Sequence, residues 1–379
     1  MAKPFFSLVA TGVIVSIHVL PLHGGDASPS ASPPRDHSRI VGAVGCQSSM
    51  CHGGASPSRD QFTIWSRLDS HSRAYATLVT AYSTRIAAGL GLPSATASTR
   101  CTVCHAPFAD KLPTQPAAPS ALAVEGVSCE SCHNPAGDWV RSHTRPDWTY
   151  ADRLHAGLRD LRSAYVRANT CVACHQAIDP ALLKAGHPEL IFELDGQTAS
   201  EPRHWQEKAG WSGGKAWLVG QATALREISR QLEKTSDPDA SAQQRALVWL
   251  LQQVPGAGAT DDRAGKDPAF TAAWSDATAQ TLSNQDWKPA MTTAALTALT
   301  ATSGSFLDNA VPLPERELRA ERLVPGLDRL FKSLHPDPAA PGQAELTALF
   351  AAIQDRDHFD PKDFSTLLQK FAAVATPTL

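Results

Sequence analysis

Eight cysteines fall into four pairs, and the second cysteine of each pair is followed at once by histidine. No cysteine is left over for a disulfide or a free thiol, so the chain must fold around four copies of one motif. Three copies read C-x-x-C-H: Cys101/Cys104/His105, Cys129/Cys132/His133 and Cys171/Cys174/His175. The other, Cys46/Cys51/His52, is a longer C-x-x-x-x-C-H. Covalent attachment of haem c needs this pattern: two thiols form thioethers with the vinyl groups, and the adjacent histidine then lies under the iron. A zinc site would need paired C-x-x-C units converging on one metal, with no call for histidine after each pair. A redox C-x-x-C would sit in a βαβ pattern, which these loops lack. The motifs therefore predict four covalently bound haem c groups with iron, held by Cys46, Cys51, Cys101, Cys104, Cys129, Cys132, Cys171 and Cys174, with His52, His105, His133 and His175 as proximal ligands.

The sixth ligand is also narrowed by composition. Only Met1, Met50 and Met291 exist, none well placed for iron, so histidine is the expected distal ligand. His37, His71, His143, His155, His187 and His204 crowd into the stretch that carries the cysteines, whereas His335 and His358 lie far downstream and read as ordinary. Four irons would take four of these rings, which reverses the usual expectation of a surface histidine.

The remainder of the chain sets the organisation. Lys3, the apolar run Phe5 to Leu20 and the small residues near Ala27 have the layout of a secretory signal over residues 1–27, with an uncleaved anchor as the alternative. A flexible Ser/Pro-rich linker over 28–39 would follow. The expected location is the periplasm, with no membrane span after signal removal. Residues 40–205 read as a haem domain of short helices and long loops, and 206–379 as an α-helical bundle. The fold class is mainly α.

Helices are expected from Arg59 to Gly89 as a pair and from Asp152 to Ala168. Downstream, segments at 215–234, 241–254, 268–284, 288–302, 314–334, 343–355 and 361–374 follow, the second capped at Asp239 or Ser241. Pro113 to Ser120 reads as a linker. Trp139, Trp148 and Trp205 are expected as haem packing. The acidic run Asp355 to Asp363 lacks the glycine and terminal glutamate of a calcium loop. A net charge of -3 provides no basic stripe for nucleic acid, and with haem propionates added it favours a basic patch on a protein partner.

The segments GCQSSMCHGG, SHSRAY, RCTVCH and, most specifically, EGVSCESCHNPAGDWVRSH resemble the tetrahaem cytochrome c-554/c-prime family over Val44 to Leu194. That resemblance implies an electron carrier. It implies that His71 ligates the iron at the Cys129/Cys132/His133 motif and that His143 reaches back to the Cys46/Cys51/His52 motif. It also implies that the Cys101/Cys104/His105 site lacks a protein sixth ligand, and that the Cys171/Cys174/His175 site takes a downstream histidine, His187 in preference to His204. The sequence departs from the family in the longer first motif, in AGHPEL and in its C-terminal extension.

Two functions follow. One is a periplasmic carrier passing electrons between redox partner proteins, in nitrogen-compound respiration or oxidation. The alternative is an oxidoreductase acting on nitric oxide, nitrite or hydroxylamine at an open haem. They divide on whether the second iron has a sixth ligand: six candidate histidines could close every site, whereas His155 and His204 become acid or base groups if one stays open.

Overall fold

The structure is a computed structural model that describes residues 40–109, 121–176, 178–257, 271–354 and 358–375. The signal and linker read over 1–39, and the whole Pro113 to Ser120 linker, lie outside the described residues. Described residues 40 to 375 fall in one compact unit, mainly helical and without a strand among the described residues.

The haem region is made of short pieces. In place of the expected helical pair, three helices run α1 (Gln61–Leu68), α2 (Ala74–Leu78) and α3 (Ala81–Gly89). They are split because Asp69 caps a 3-10 turn at Ser70–Arg73, and because the Thr80 side chain accepts the Ser83 N–H to restart the chain as α3. Next come α4 (Thr99–His105), α5 (Ala121–Val124) and α6 (Cys129–His133), so two motifs form short helices ending on their histidines. The helix expected from Asp152 to Ala168 is also divided. A capping box between Thr149 and Asp152 starts α7 (Tyr150–His155), Gly157 at φ 110 breaks it, and Ser163 caps α8 (Ala164–His175). The last motif is the end of α8. A short α9 (Pro180–Lys184) and α10 (Leu194–Ser200) follow.

Seven longer elements complete the chain: α11 (Gly213–Leu232), α12 (Pro238–Gln253), α13 (Ala272–Asn284), α14 (Pro289–Thr300), α15 (Leu313–Leu334), α16 (Gln343–Ala352) and α17 (Pro361–Ala375). Each lies within a few residues of its expected segment, because apolar period and caps agree there. One cap differs: Asp237, ahead of both candidates, accepts the Asp239 and Ala240 N–H groups, with Pro238 in the first turn. Helix α11 is the axis of this body. Trp217, Leu218, Val219, Ala222 and Leu225 are buried within it, and it packs on α8, α10, α12, α13 and α15. One apolar core runs from Ala164 and Ala168 on α8 through Phe192 and Leu194 to Phe371 and Ala375.

Candidate haem-binding centre

No disulfide joins any of the eight cysteines, and their positions relative to one another reflect a few buried staples. Glu130, 1% exposed, accepts the N–H groups of Gly42 at 2.8 Å and Ala136 at 2.6 Å, while Glu125 accepts that of Ala43 at 2.9 Å. These carboxylates bind the segment before Cys46 to the segment around Cys129, and the two thiols hydrogen-bond. Arg159 bridges the next pair, donating to the Ser131 carbonyl at 3.3 Å and to Thr170 Oγ1 at 2.9 Å. Burial, and next the nearby Cys132 thiol, push Cys171 up to about 12. Arg100 pairs with Asp179 ahead of α9, and the Cys104 and Cys174 thiols hydrogen-bond. The motifs therefore adjoin in the order first, third, fourth, second.

Every motif histidine faces a second histidine. Ring centroids are separated by 6.1 Å for His52 and His143, 6.3 Å for His105 and His187, 6.5 Å for His133 and His204, and 6.0 Å for His71 and His175. Two imidazole–metal bonds of about 2 Å each, plus the offset of each nitrogen from its ring centre, give about 6 Å. The pairs have the spacing of two imidazoles on one iron. The first is nearly parallel, at 15° between planes; the others are crossed at 69° to 81°.

Second partners aim several of these rings. His52 Nδ1 meets Gln61 Oε1 at 3.0 Å, His143 Nδ1 the Val140 carbonyl at 2.7 Å, and His187 Nδ1 the Pro188 carbonyl at 2.8 Å. His105 Nδ1 lies 2.9 Å from Thr77 Oγ1 and 3.1 Å from the Ala74 carbonyl. With Nδ1 occupied, Nε2 is left for a metal. His71 differs: its Nδ1 lies 3.0 Å from the buried Asp69 carboxylate and 3.9 Å from Glu201. The Asp69 hydrogen bond raises the His71 pKa, and against the opposing effect of burial the same bond holds Asp69 below the usual carboxylate range. Desolvation, and then His204, push His133 down to about 4, and burial also lowers His105, His175 and His204. Burial thus favours the neutral imidazole in these four rings, the form that ligates.

The donor set fits haem on three further observations. Met50 and Val103 lie inside motifs and are 75% and 62% exposed, apolar surface that a porphyrin would cover. The Trp139 indole sits edge-on to His143 at 5.4 Å, and its buried N–H has no partner among the described residues. Ser131 Oγ, beside Cys132, is buried and likewise unpartnered.

Residues 40–134 match the family model described as cytochrome c554 and c-prime. That stretch is similar to the c-type cytochromes of that family. The match takes in the first three motifs whole and implies covalently bound haem c in a haem-based electron-transfer protein. No curated protein and no solved structure matches the chain. Among the described residues, no helix is long and apolar enough to cross a membrane.

The structure pairs these histidines differently from the expectation carried by the resemblance. His143 does face His52. His71 faces His175 instead of His133. The Val127 N–H holds the His71 carbonyl at 3.0 Å, which keeps that backbone beside the third motif, but Asp69 turns the ring toward α8. Gly126, at φ 66, permits this approach, since a Cβ there would lie 2.6 Å from the His71 carbonyl oxygen. His204 takes the place opposite His133, and His187 stands at the second motif in place of the fourth. His155 is exposed at the end of α7 and joins none of the four pairs. The aiming groups Gln61, Thr77, Asp69 and Glu201 belong to no motif and were not legible in the sequence.

Proposed function

We propose that the protein is an extracytoplasmic, periplasmic tetrahaem c-type cytochrome that relays single electrons between redox partner proteins, in nitrogen-compound oxidation or respiration. The observation that carries this reading is the fourfold histidine pairing at 6.0 to 6.5 Å, one pair at each Cys-Cys-His motif. When bound, each haem supplies an iron that alternates between ferric and ferrous states. The chain's own residues would hold that centre closed: two imidazoles per site leave no position for a small substrate, and Nδ1 contacts fix the rings of His52, His71, His105, His143 and His187. The cysteine contacts align the sites as first, third, fourth, second. Partners would dock at the two ends of that row, around Cys46/Cys51 and Cys101/Cys104. The domain reading accompanies it: a signal over 1–27, a linker over 28–39, the haem domain over 40–205 and the helical domain over 206–379.

A catalyst acting on nitric oxide, nitrite or hydroxylamine would need an open iron, for which the second site was the candidate. His187, 6.3 Å from His105, favours the carrier. The test combines intact mass and haem quantitation of the purified protein with a potentiometric titration. The expected result is four haems per chain, reversible one-electron steps and no turnover of nitrite or hydroxylamine. Fewer than four haems, or catalytic turnover, would overturn the proposal.

A further inference from the structure

The C-terminal helices contain no cysteine, yet they grip the segment that carries two of the four distal histidines. His187 and His204 flank α10, and the start of that helix is sunk into the body behind it. Phe192 and Leu194 are fully buried in the C-terminal core. The Gln221 side-chain amide of α11 donates to the Phe192 carbonyl at 3.4 Å, and Asp195 lies 3.6 Å from Arg329 of α15. Toward His204, Glu207 takes a two-point ion pair from Arg167 of α8 at 2.7 and 3.1 Å and accepts the Trp205 N–H at 2.8 Å. Gln243 of α12 reaches Glu189 at 2.6 Å, two residues after His187. On the haem side, the turn ahead of His187 is tied by the Tyr82 hydroxyl to the Gly186 carbonyl and, at the start of α9, by the Arg100–Asp179 pair.

The contact surface on α11 is shaped for this. A Cβ on Gly220 would lie 2.9 Å from Leu194 Cβ and 3.2 Å from its backbone nitrogen, and one on Gly213 would meet the Asp195 carboxylate at 2.5 Å. Helix α10 can lie where it does because α11 offers bare backbone at both points. By contrast, His143 and His71 are held by their own neighbourhood, through Val140 and Asp69.

We infer that the C-terminal helical body is a ligand-presenting scaffold: through Gly220 and the Phe192–Leu194 anchor it positions His187 and His204, and so decides whether the second and third haem sites are closed. The inference rests on the tetrahaem reading above. It gives the cysteine-free extension a function in coordination and makes Gly220 and Leu194 positioning residues.

The experiment is electron paramagnetic resonance of full-length oxidised holoprotein, wild type against Gly220→Leu, with haem content and helix content measured on the same samples. The inference predicts that two of the four irons turn high-spin in the variant, that added imidazole returns them to low-spin, and that the other two do not change. Phe371→Ala, in α17, which packs on α14 to α16 away from α10, removes a comparable buried ring and should leave all four low-spin. If Gly220→Leu fails to accumulate, the smaller Gly220→Ala is read in its place, since its Cβ already meets Leu194. Four low-spin irons in a folded variant would overturn the scaffold, as would loss spread evenly over all sites. A wild-type protein without four low-spin irons would overturn the tetrahaem reading itself, a separate and earlier failure.

Discussion

From residue 40 to about 160 the described residues gather a cluster of three buried aliphatic side chains, Leu78, Ala87 and Ala95, whereas from Ala164 onward one continuous apolar core extends to Ala375. The difference is one of what fills the interior. In the C-terminal body leucines and phenylalanines do, on helices long enough to present a continuous stripe. Between residues 40 and 160, helices of four to nine residues leave Val44, Leu68, Val79 and Val103 more than 60% exposed, with cysteine pairs among them. A chain segment with so little side-chain core does not repay its conformational entropy alone. On the proposed reading covalent haem would supply the missing apolar volume, and the body packed on its own side chains backs the segment carrying His187 and His204.

The largest effect that would break this comparison is removal of an attachment point. Cys129→Ser with Cys132→Ser should leave residues 40–160 open to limited proteolysis while the helices after Gly213 resist. Equal digestion of both regions would contradict the division. Next, Trp217→Ala should lower stability by about 4 kcal/mol, the usual cost of deleting a large buried aromatic. Trp217 is fully buried, and a Cβ on Gly326 would lie 2.5 Å from its ring, so no neighbour is free to refill the space. Chemical denaturation followed by far-ultraviolet circular dichroism reads it; a loss under about 1 kcal/mol would mean that the body is looser than its packing indicates.

A smaller, pH-dependent effect belongs to the joint between the regions. Burial first, then the Asp195 charge, push Glu193 up to about 7 from its ordinary 4.5, although it caps α10. Between those pH values the folded protein holds a proton that the unfolded chain has released, so this group makes stability fall as pH rises through the window, by about 3 kcal/mol in total. Glu193→Gln should flatten that slope in melting curves taken across pH 4.5 to 7; an unchanged slope would remove Glu193 as its source. Smallest of all, Arg145→Ala breaks a fully exposed pair with Asp147 and should leave the melting temperature unchanged.

The parts of this molecule that were legible in the sequence are those written locally. The cysteine spacing marks the four motifs that the proposed function rests on, and the helices from Gly213 onward follow apolar period, caps and proline. The division of 59–89 and 152–168 into shorter helices was less visible, because it turns on Thr80, Asp69, Ser163 and a single positive-φ glycine. Distal pairing was the least legible. His71 sits beside the third motif along its backbone, and only the Asp69 carboxylate, two residues before it, directs its ring to His175. His187 and His204 are placed by burial of Phe192 and Leu194 in a distant core, an interaction that no local pattern encodes.

The central claim is that each of four irons is held between two histidines. Low-temperature electron paramagnetic resonance of the oxidised holoprotein, before and after nitric oxide, tests it most directly. The account predicts only low-spin ferric signals that ignore the ligand, one rhombic from the near-parallel His52/His143 pair and the rest strongly anisotropic from the crossed pairs. A high-spin signal that shifts on adding nitric oxide would contradict it and put an open iron in the wild-type protein.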